Sequence, residues 1–222
     1  MAIILHIDTT GSTAMVFLAK DAEILMQLQN EQQNDHAAFL QPAIASILQK
    51  SNLQPQQIDA VAVSNGPGSY TGLRVGLASA KGLCYALNKP LISISSLQIL
   101  AVASHRQSGI DEAVFAPMID ARRMEVFTAL YNNRGIEVIP AHAAVLNNES
   151  FVEELLQHTV VFSGSGAQKF STICAHPRAV FLLKIDIAQS FATLAFSNFT
   201  QNNFTPIAYS EPLYVKEFFS GK

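Results

Sequence analysis

Charge is scarce in this chain. Of 222 residues, 14% are Asp, Glu, Lys or Arg, well under the quarter usual for soluble domains. Much of the surface is therefore expected to be buried, some of it against a partner. The net charge of −3 argues against broad, sequence-independent binding of nucleic acid by this chain alone. Cysteine is nearly missing: Cys84 and Cys174 lie outside any CxxC or Cys/His ligand spacing. They read as buried free thiols in a reducing compartment. The start, Met1-Ala2-Ile3-Ile4-Leu5-His6-Ile7-Asp8, lacks the basic segment and long apolar run of a signal peptide. No apolar stretch is long enough to span a membrane. These absences lead to an expectation of a soluble, cytoplasmic protein without membrane contact.

Several catalytic signatures are missing too. There is no HxxxH or HExxH pair, so no helix offers two imidazoles to one metal. His36 stands in the first helical segment, and four residues on is Leu40. His6, His105, His142, His158 and His176 are scattered. No GxSxG elbow surrounds Ser64, Ser69 or Ser165, and no Gly-Lys-Ser/Thr follows a Gly-rich turn, so there is no P-loop. Neither a catalytic residue nor a metal ligand is assigned.

What is present is a strand-to-helix turn, Ser64-Asn65-Gly66-Pro67-Gly68-Ser69-Tyr70-Thr71-Gly72-Leu73-Arg74-Val75-Gly76. The apolar run Ile58 to Val63 leads in and a long helical pattern leads out. Such a turn exposes backbone N–H groups at a helix N-terminus, where an anion or another backbone can approach.

Around it the periodicity predicts strands at Ile3–Asp8, Thr13–Ala19 and Glu23–Gln29. A helix follows at about 35–50, capped by Asp35 or Asn34 and kinked by Pro42. Then come the strand Ile58–Val63, a helix at about 70–88 capped by Thr71, the strand Leu91–Ile94, and a helix from Ser95 or Ser96 to about His105. This β-β-β-α-β-α-β-α order predicts a mixed sheet covered by helices. It is the order of the ribonuclease H-like lobes in the actin–sugar kinase–Hsp70 superfamily. Residues 1–105 form that first lobe. A shortened second lobe spans 106–222, with strands at Val114–Asp120, Glu125–Tyr131, Gly135–Ile139 and Val160–Phe162. It has helices at about Glu149–Gln157 and Ala188–Phe199.

Four blocks then carry a family resemblance: Ile7-Asp8-Thr9-Thr10; Asp35-His36; Gly66-Pro67-Gly68-Ser69-Tyr70-Thr71-Gly72-Leu73-Arg74-Val75-Gly76; and Ile119-Asp120-Ala121-Arg122-Arg123-Met124-Glu125-Val126-Phe127. Pro212-Leu213-Tyr214 adds to them. The chain resembles the TsaB (YeaZ) family. That resemblance implies a non-catalytic paralogue of the transferase TsaD. The two, with the ATPase TsaE, transfer a threonylcarbamoyl group to adenosine 37 of ANN-decoding tRNAs. It implies pairing with TsaD, or with a second copy when alone, through the helices at about 35–50 and 70–88, with tRNA contacted indirectly through the complex. It implies no tightly bound cofactor, ATP or ADP and magnesium entering only in the complex.

On this chain the pairing residues are expected to be Leu40, Ile44, Ile47, Leu73, Gly76, Leu77, Ala80 and Cys84. A second, small-residue face carries Ala37, Ala38, Ala45 and Ser46. Asp8, Thr9, Thr10, Gly66, Gly68 and Ser69 are the candidates for nucleotide or phosphate contact, since superfamily members that act on ATP place an Asp at the end of the first strand near phosphate and Mg²⁺. Against this, Asp8 also fits a turn cap, and Ser163-Gly164-Ser165-Gly166 lacks the Asp-Gly loop expected of a nucleoside site. Arg74 fits either an anion contact or a plain surface charge. Asp120-Ala121-Arg122-Arg123 reads as a solvated hairpin turn. Two other functions compete: a small ATP-dependent enzyme using Asp8, and a stand-alone regulatory homodimer.

Overall fold

The computed structural model describes residues 1–32 and 35–216; the proposed cap Asn34 lies outside them. Two compact units emerge: Met1–Ser96 with Ala188–Leu213, and Leu97–Ile187 with the described residues from Tyr214 on. The division expected at residue 105 falls inside a helix, and the helix after residue 188 packs with the first unit.

The first unit is built on β1 (Ile3–Asp8), β2 (Ala14–Lys20), β3 (Glu23–Asn30), β4 (Ala60–Ser64) and β5 (Leu91–Ile94), in the order β3-β2-β1-β4-β5. The first three form an antiparallel meander, whereas β4 and β5 run parallel to β1. The central strands are buried on both faces, which is why their sequences are mostly apolar.

Side chains alternate across the sheet. Leu5, Ile7, Val61 and Val63 join Leu40, Ile44 and Ile47 of α1 (His36–Lys50) and Leu77, Ala80 and Cys84 of α2 (Tyr70–Leu87) in one core. On the other face His6 stacks on Phe17, ring centroids 4.1 Å apart. Phe191 of α6 (Ala188–Thr200) closes edge-on over both.

Local starts and stops differ from expectation in instructive ways. Asp35 precedes α1 but its side chain makes no capping bond, and the helix runs on through Pro42. Ser69, not Thr71, caps α2: its hydroxyl accepts the N–H of Gly72 at 3.3 Å. Asn88 ends α2 in the left-handed conformation, which Asn adopts more readily than other residues except Gly.

The second unit repeats the topology. Strands β6 (Val114–Asp120), β7 (Glu125–Tyr131), β8 (Glu137–Val145), β9 (Val160–Ser163) and β10 (Ala179–Leu182) lie in the order β10-β9-β6-β7-β8. Antiparallel β6/β7/β8 and parallel β6/β9/β10 mirror the first sheet's pairing. β8 extends past the expected Ile139 because Pro140 sits on an edge strand, where a missing N–H is tolerated. The reduction is in the helices: α3 (Ser96–Ser108) is full length, but α4 (Val152–Gln157) and α5 (Ala167–Ser171) are one to two turns. α4 starts late because Asn147 to Ser150 form their own side-chain turn, with Asn147 Oδ1 accepting the N–H of Glu149. The sequence reading missed α5 and β10. Their contribution is Phe170 and Phe181, which cluster with Phe162 in the core.

Candidate functional site around the Gly-rich turn and the first two helices

The structure brings the two halves of the expected phosphate site together, but points them at each other. Asp8 ends β1, and Thr9 and Thr10 turn beneath the start of α2. The carboxylate of Asp8 accepts the Thr10 N–H at 2.9 Å and the Thr10 hydroxyl at 2.7 Å through Oδ1. Burial raises its pKa; the two Thr10 hydrogen bonds and the nearby charge of His36 oppose that rise. His36 is itself buried, and its Nε2 lies 3.2 Å from the carbonyl oxygen of Ser12.

The turn Gly66 to Ser69 is filled by the chain's own backbone. The N–H of Ser69 donates to the Thr10 carbonyl at 2.8 Å. A Cβ on Gly68 would stand 2.5 Å from that same oxygen, and one on Gly72 would overlap the Thr9 carbonyl. Gly66 has φ +115°, which favours glycine, and a Cβ there would meet the Leu213 carbonyl at 2.8 Å. Leu213 in turn donates its N–H to Asn65 O at 2.8 Å. The glycines thus serve close packing of strand, turn, helix and tail. Asp8, Thr9, Thr10, Gly66, Gly68 and Ser69 do not form an open cradle for phosphate. The guanidinium of Arg74 lies over the ring of Tyr70, 4.2 Å from its centroid.

The eight residues expected at a pairing surface need correction. Leu40, Ile47, Ala80 and Cys84 are fully buried, and Leu73, Ile44 and Leu77 nearly so. Gly76 is buried too, its α-carbon facing Thr9 Oγ1. These side chains form the stripe by which α1 and α2 sit on the sheet. An apolar stripe on a helix over a sheet is core first. Burial also explains the thiol of Cys84, whose pKa is pushed up to about 11; Cys174 is only half-buried.

What faces outward is the second face. α1 exposes Ala37, Ala38, Gln41, Pro42 and Ala45; α2 exposes Ala78, Gly82, Tyr85 and Ala86. Gln41 reaches Ser79 at 3.1 Å, linking the two helices. Tyr85 is 84% exposed. Arg74, exposed one turn before Ala78, charges one end of this surface; the rest is uncharged, and its small residues let another helix approach closely. Sequence reading places Ala37, Ala38 and Ala45 of α1 and the Gly and Ala residues of α2 on such a face but misses Tyr85; the signal available is its place outside the Leu73–Leu77–Ala80–Cys84 stripe.

Among the described residues no group of three His, Cys, Asp or Glu could hold a metal ion, and no helix is long and apolar enough to cross a membrane.

Comparison with known proteins agrees with this architecture. Residues 23–213 match the family "TsaD: tRNA N6-adenosine threonylcarbamoyltransferase". The tRNA threonylcarbamoyladenosine biosynthesis protein TsaB of Haemophilus influenzae is 30% identical over 218 residues, covering 96% of this chain and 83% of the relative. TsaB of Bacillus subtilis is 34% identical over 128 residues; that match covers 58% of this chain and 54% of the relative, about half its length. The solved structure of YeaZ from Pseudomonas aeruginosa superposes with a TM-score of 0.80 at 25% identity, covering 96% of this chain and 100% of that one. Two mixed sheets of one repeated topology, the second with shortened helices, make the fold that of the actin–sugar kinase–Hsp70 superfamily. With a Gly-rich turn packed shut against β1 and matches spanning nearly its whole length, the chain belongs to the TsaB (YeaZ) family.

Proposed function

We propose that this chain is a non-catalytic cytoplasmic subunit. It is required, with a TsaD-type transferase and the ATPase TsaE, to transfer a threonylcarbamoyl group to adenosine 37 of ANN-decoding tRNAs. The observation that carries the non-catalytic part is in α1. A metal-dependent paralogue would need two imidazoles four residues apart on that helix. Here His36 is buried against Ser12 and Leu40, four residues on, lies in the core.

The small-residue outer face of α1 and α2 supports pairing with the transferase, and with a second copy when the transferase is absent. The competing reading, an ATP-dependent enzyme built on Asp8, has less support. Its acid is buried and raised in pKa, and its Gly-rich turn is filled by Thr9 and Thr10.

The test is mass spectrometry of tRNA nucleosides from cells depleted of this chain. Threonylcarbamoyladenosine falls and unmodified adenosine 37 rises if the chain serves this pathway. Unchanged modification overturns the reading.

A further inference from the structure

The β6–β7 hairpin carries a feature that pairing through α1 and α2 does not use. Arg122 and Arg123 both have positive φ, 71° and 45°. For non-glycine residues this conformation persists only where the surroundings enforce it. Here they do. Asp120 Oδ1 accepts the N–H of Arg122 at 2.6 Å, and the N–H of Asp120 donates to the Ser165 hydroxyl at 3.0 Å. Lys169, mostly buried, donates through Nζ to the carbonyls of Arg123 (2.6 Å) and Glu125 (3.2 Å) and pairs with Asp120 at 3.0 Å. Lys216 holds Glu125 at 2.9 Å.

The charges of this cluster can be assigned one by one. Asp120 and Glu125 are each taken by a lysine. Both arginines are exposed, and among the described residues no carboxylate takes either. The result is a braced tip with two adjacent uncompensated guanidiniums on a chain whose net charge is −3.

We propose that Arg122 and Arg123 form a contact for the phosphodiester backbone of an RNA. A guanidinium matches phosphate in a two-pronged geometry that an ammonium does not. Two exposed guanidiniums at a hairpin tip suit a long polyanion with successive phosphates better than one nucleotide, which needs an enclosing pocket. Fixing the turn in advance lowers the ordering cost of the contact. The identity of the RNA as tRNA rests on the proposed function; the contact itself does not.

The test uses the intact chain, a fluorescently labelled tRNA anticodon stem–loop and anisotropy across a salt series starting at about 50 mM. The double variant R122G/R123G removes both charges while placing glycine where φ is positive, a conformation glycine adopts freely, so the turn is kept. Binding weakens about tenfold, and the slope of log affinity against log salt falls by about one to two, near one per lost phosphate. R122K/R123K keeps most of the slope with reduced affinity. ATP and inorganic phosphate displace the RNA only at far higher concentration.

Equal affinity and slope in R122G/R123G, no binding by the parent at the lowest salt, or ATP competing as well as RNA would each overturn the proposal. The nucleoside measurement separates this from the pathway reading. Lowered modification on depletion, with R122G/R123G binding RNA like the parent, sinks only the hairpin contact. Arginine-dependent RNA binding with modification unchanged on depletion sinks only the pathway.

Discussion

The hydroxyl of Thr9 donates to the carbonyl oxygen of Gly72 at 2.7 Å, tying the end of β1 to the first turn of α2. The contact is close because Gly72 has no Cβ; one would overlap the Thr9 carbonyl. Gly72→Ala must therefore push α2 off the turn, and the expected cost is about 2–3 kcal/mol or more. Thr9→Val keeps the shape but removes the hydroxyl bond to a carbonyl that the helix also uses, at about 0.5–1.5 kcal/mol. Because the residues touch, the double variant should lose less than the sum. Urea midpoints of the three variants check this; additive losses would mean that the two sites act independently.

Gly82 behaves in the opposite way. It lies in the interior of α2, is exposed, and a Cβ there meets nothing within 4 Å. Glycine at such a site carries a backbone-entropy cost that alanine avoids. Gly82→Ala should stabilise the isolated chain by about 0.5–1 kcal/mol, read as a higher urea midpoint at unchanged slope. A fall in the midpoint would mean that α2 is not a free-standing helix surface at this position.

The first unit was largely legible because its central strands are mostly apolar, β3 alternates apolar and polar residues, and its helices carry clear stripes. β1 was placed to the residue, and β2 and β3 to within one. The facing of the helices was not legible. The stripe Leu73–Leu77–Ala80–Cys84 and the small-residue face beside it are both apolar, and only the sheet decides which is core. Likewise Asp8-Thr9-Thr10 and Gly66-Pro67-Gly68 read as two halves of a ligand cradle. Sequence cannot show that they fill one another. The turn at Asp120–Arg123 is legible in the sequence, but what holds it is not. Its bracing comes from Lys169 and Lys216, residues remote in sequence.

His6 gives the chain a defined acid sensitivity. The ring is fully buried between Phe17 and Phe191, its Nε2 has no hydrogen-bond partner among the described residues, and burial lowers its pKa to about 3. The folded pKa lies below the unfolded value of 6.5, so the unfolded state binds the extra proton between them. Stability is full above pH 6.5 and falls as pH drops toward 3, by about 1.4 kcal/mol per unit once well below 6.5. Going from pH 7.5 to pH 5 should cost roughly 2 kcal/mol by urea unfolding. His6→Phe should remove that part of the dependence. An unchanged slope in His6→Phe would place the acid sensitivity elsewhere.

Asp8 has the opposite sign. Burial raises its folded pKa above the ordinary value of 3.8, so it favours folding below that value, and the benefit is lost as pH rises through the folded pKa. At neutral pH Asp8→Asn should keep an acceptor for Thr10 while removing a buried carboxyl. The variant should be at least as stable as the parent at pH 7.5, and threonylcarbamoyladenosine in cells carrying it should stay at the parental level. A stable Asp8→Asn protein with loss of modification would favour the ATP-dependent enzyme over the subunit.

The outer face of α1 and α2 yields the sharpest test of how the chain works. Ala78 and Tyr85 lie on it, exposed and away from the core, so charges placed there leave folding intact, within about 0.5 kcal/mol. If this face docks onto the transferase or a second copy, Ala78→Glu and Tyr85→Glu place an unpaired carboxylate in a small-residue contact, and tyrosine is often an interface anchor. Each should raise the dissociation constant about tenfold or more in analytical ultracentrifugation, with an unchanged thermal midpoint for the isolated chain. Leu77→Glu, on the opposite face, should unfold the protein. If Tyr85→Glu pairs normally, the docking surface lies elsewhere. If it unfolds instead, α2 is packed more deeply than its 84% exposed tyrosine indicates.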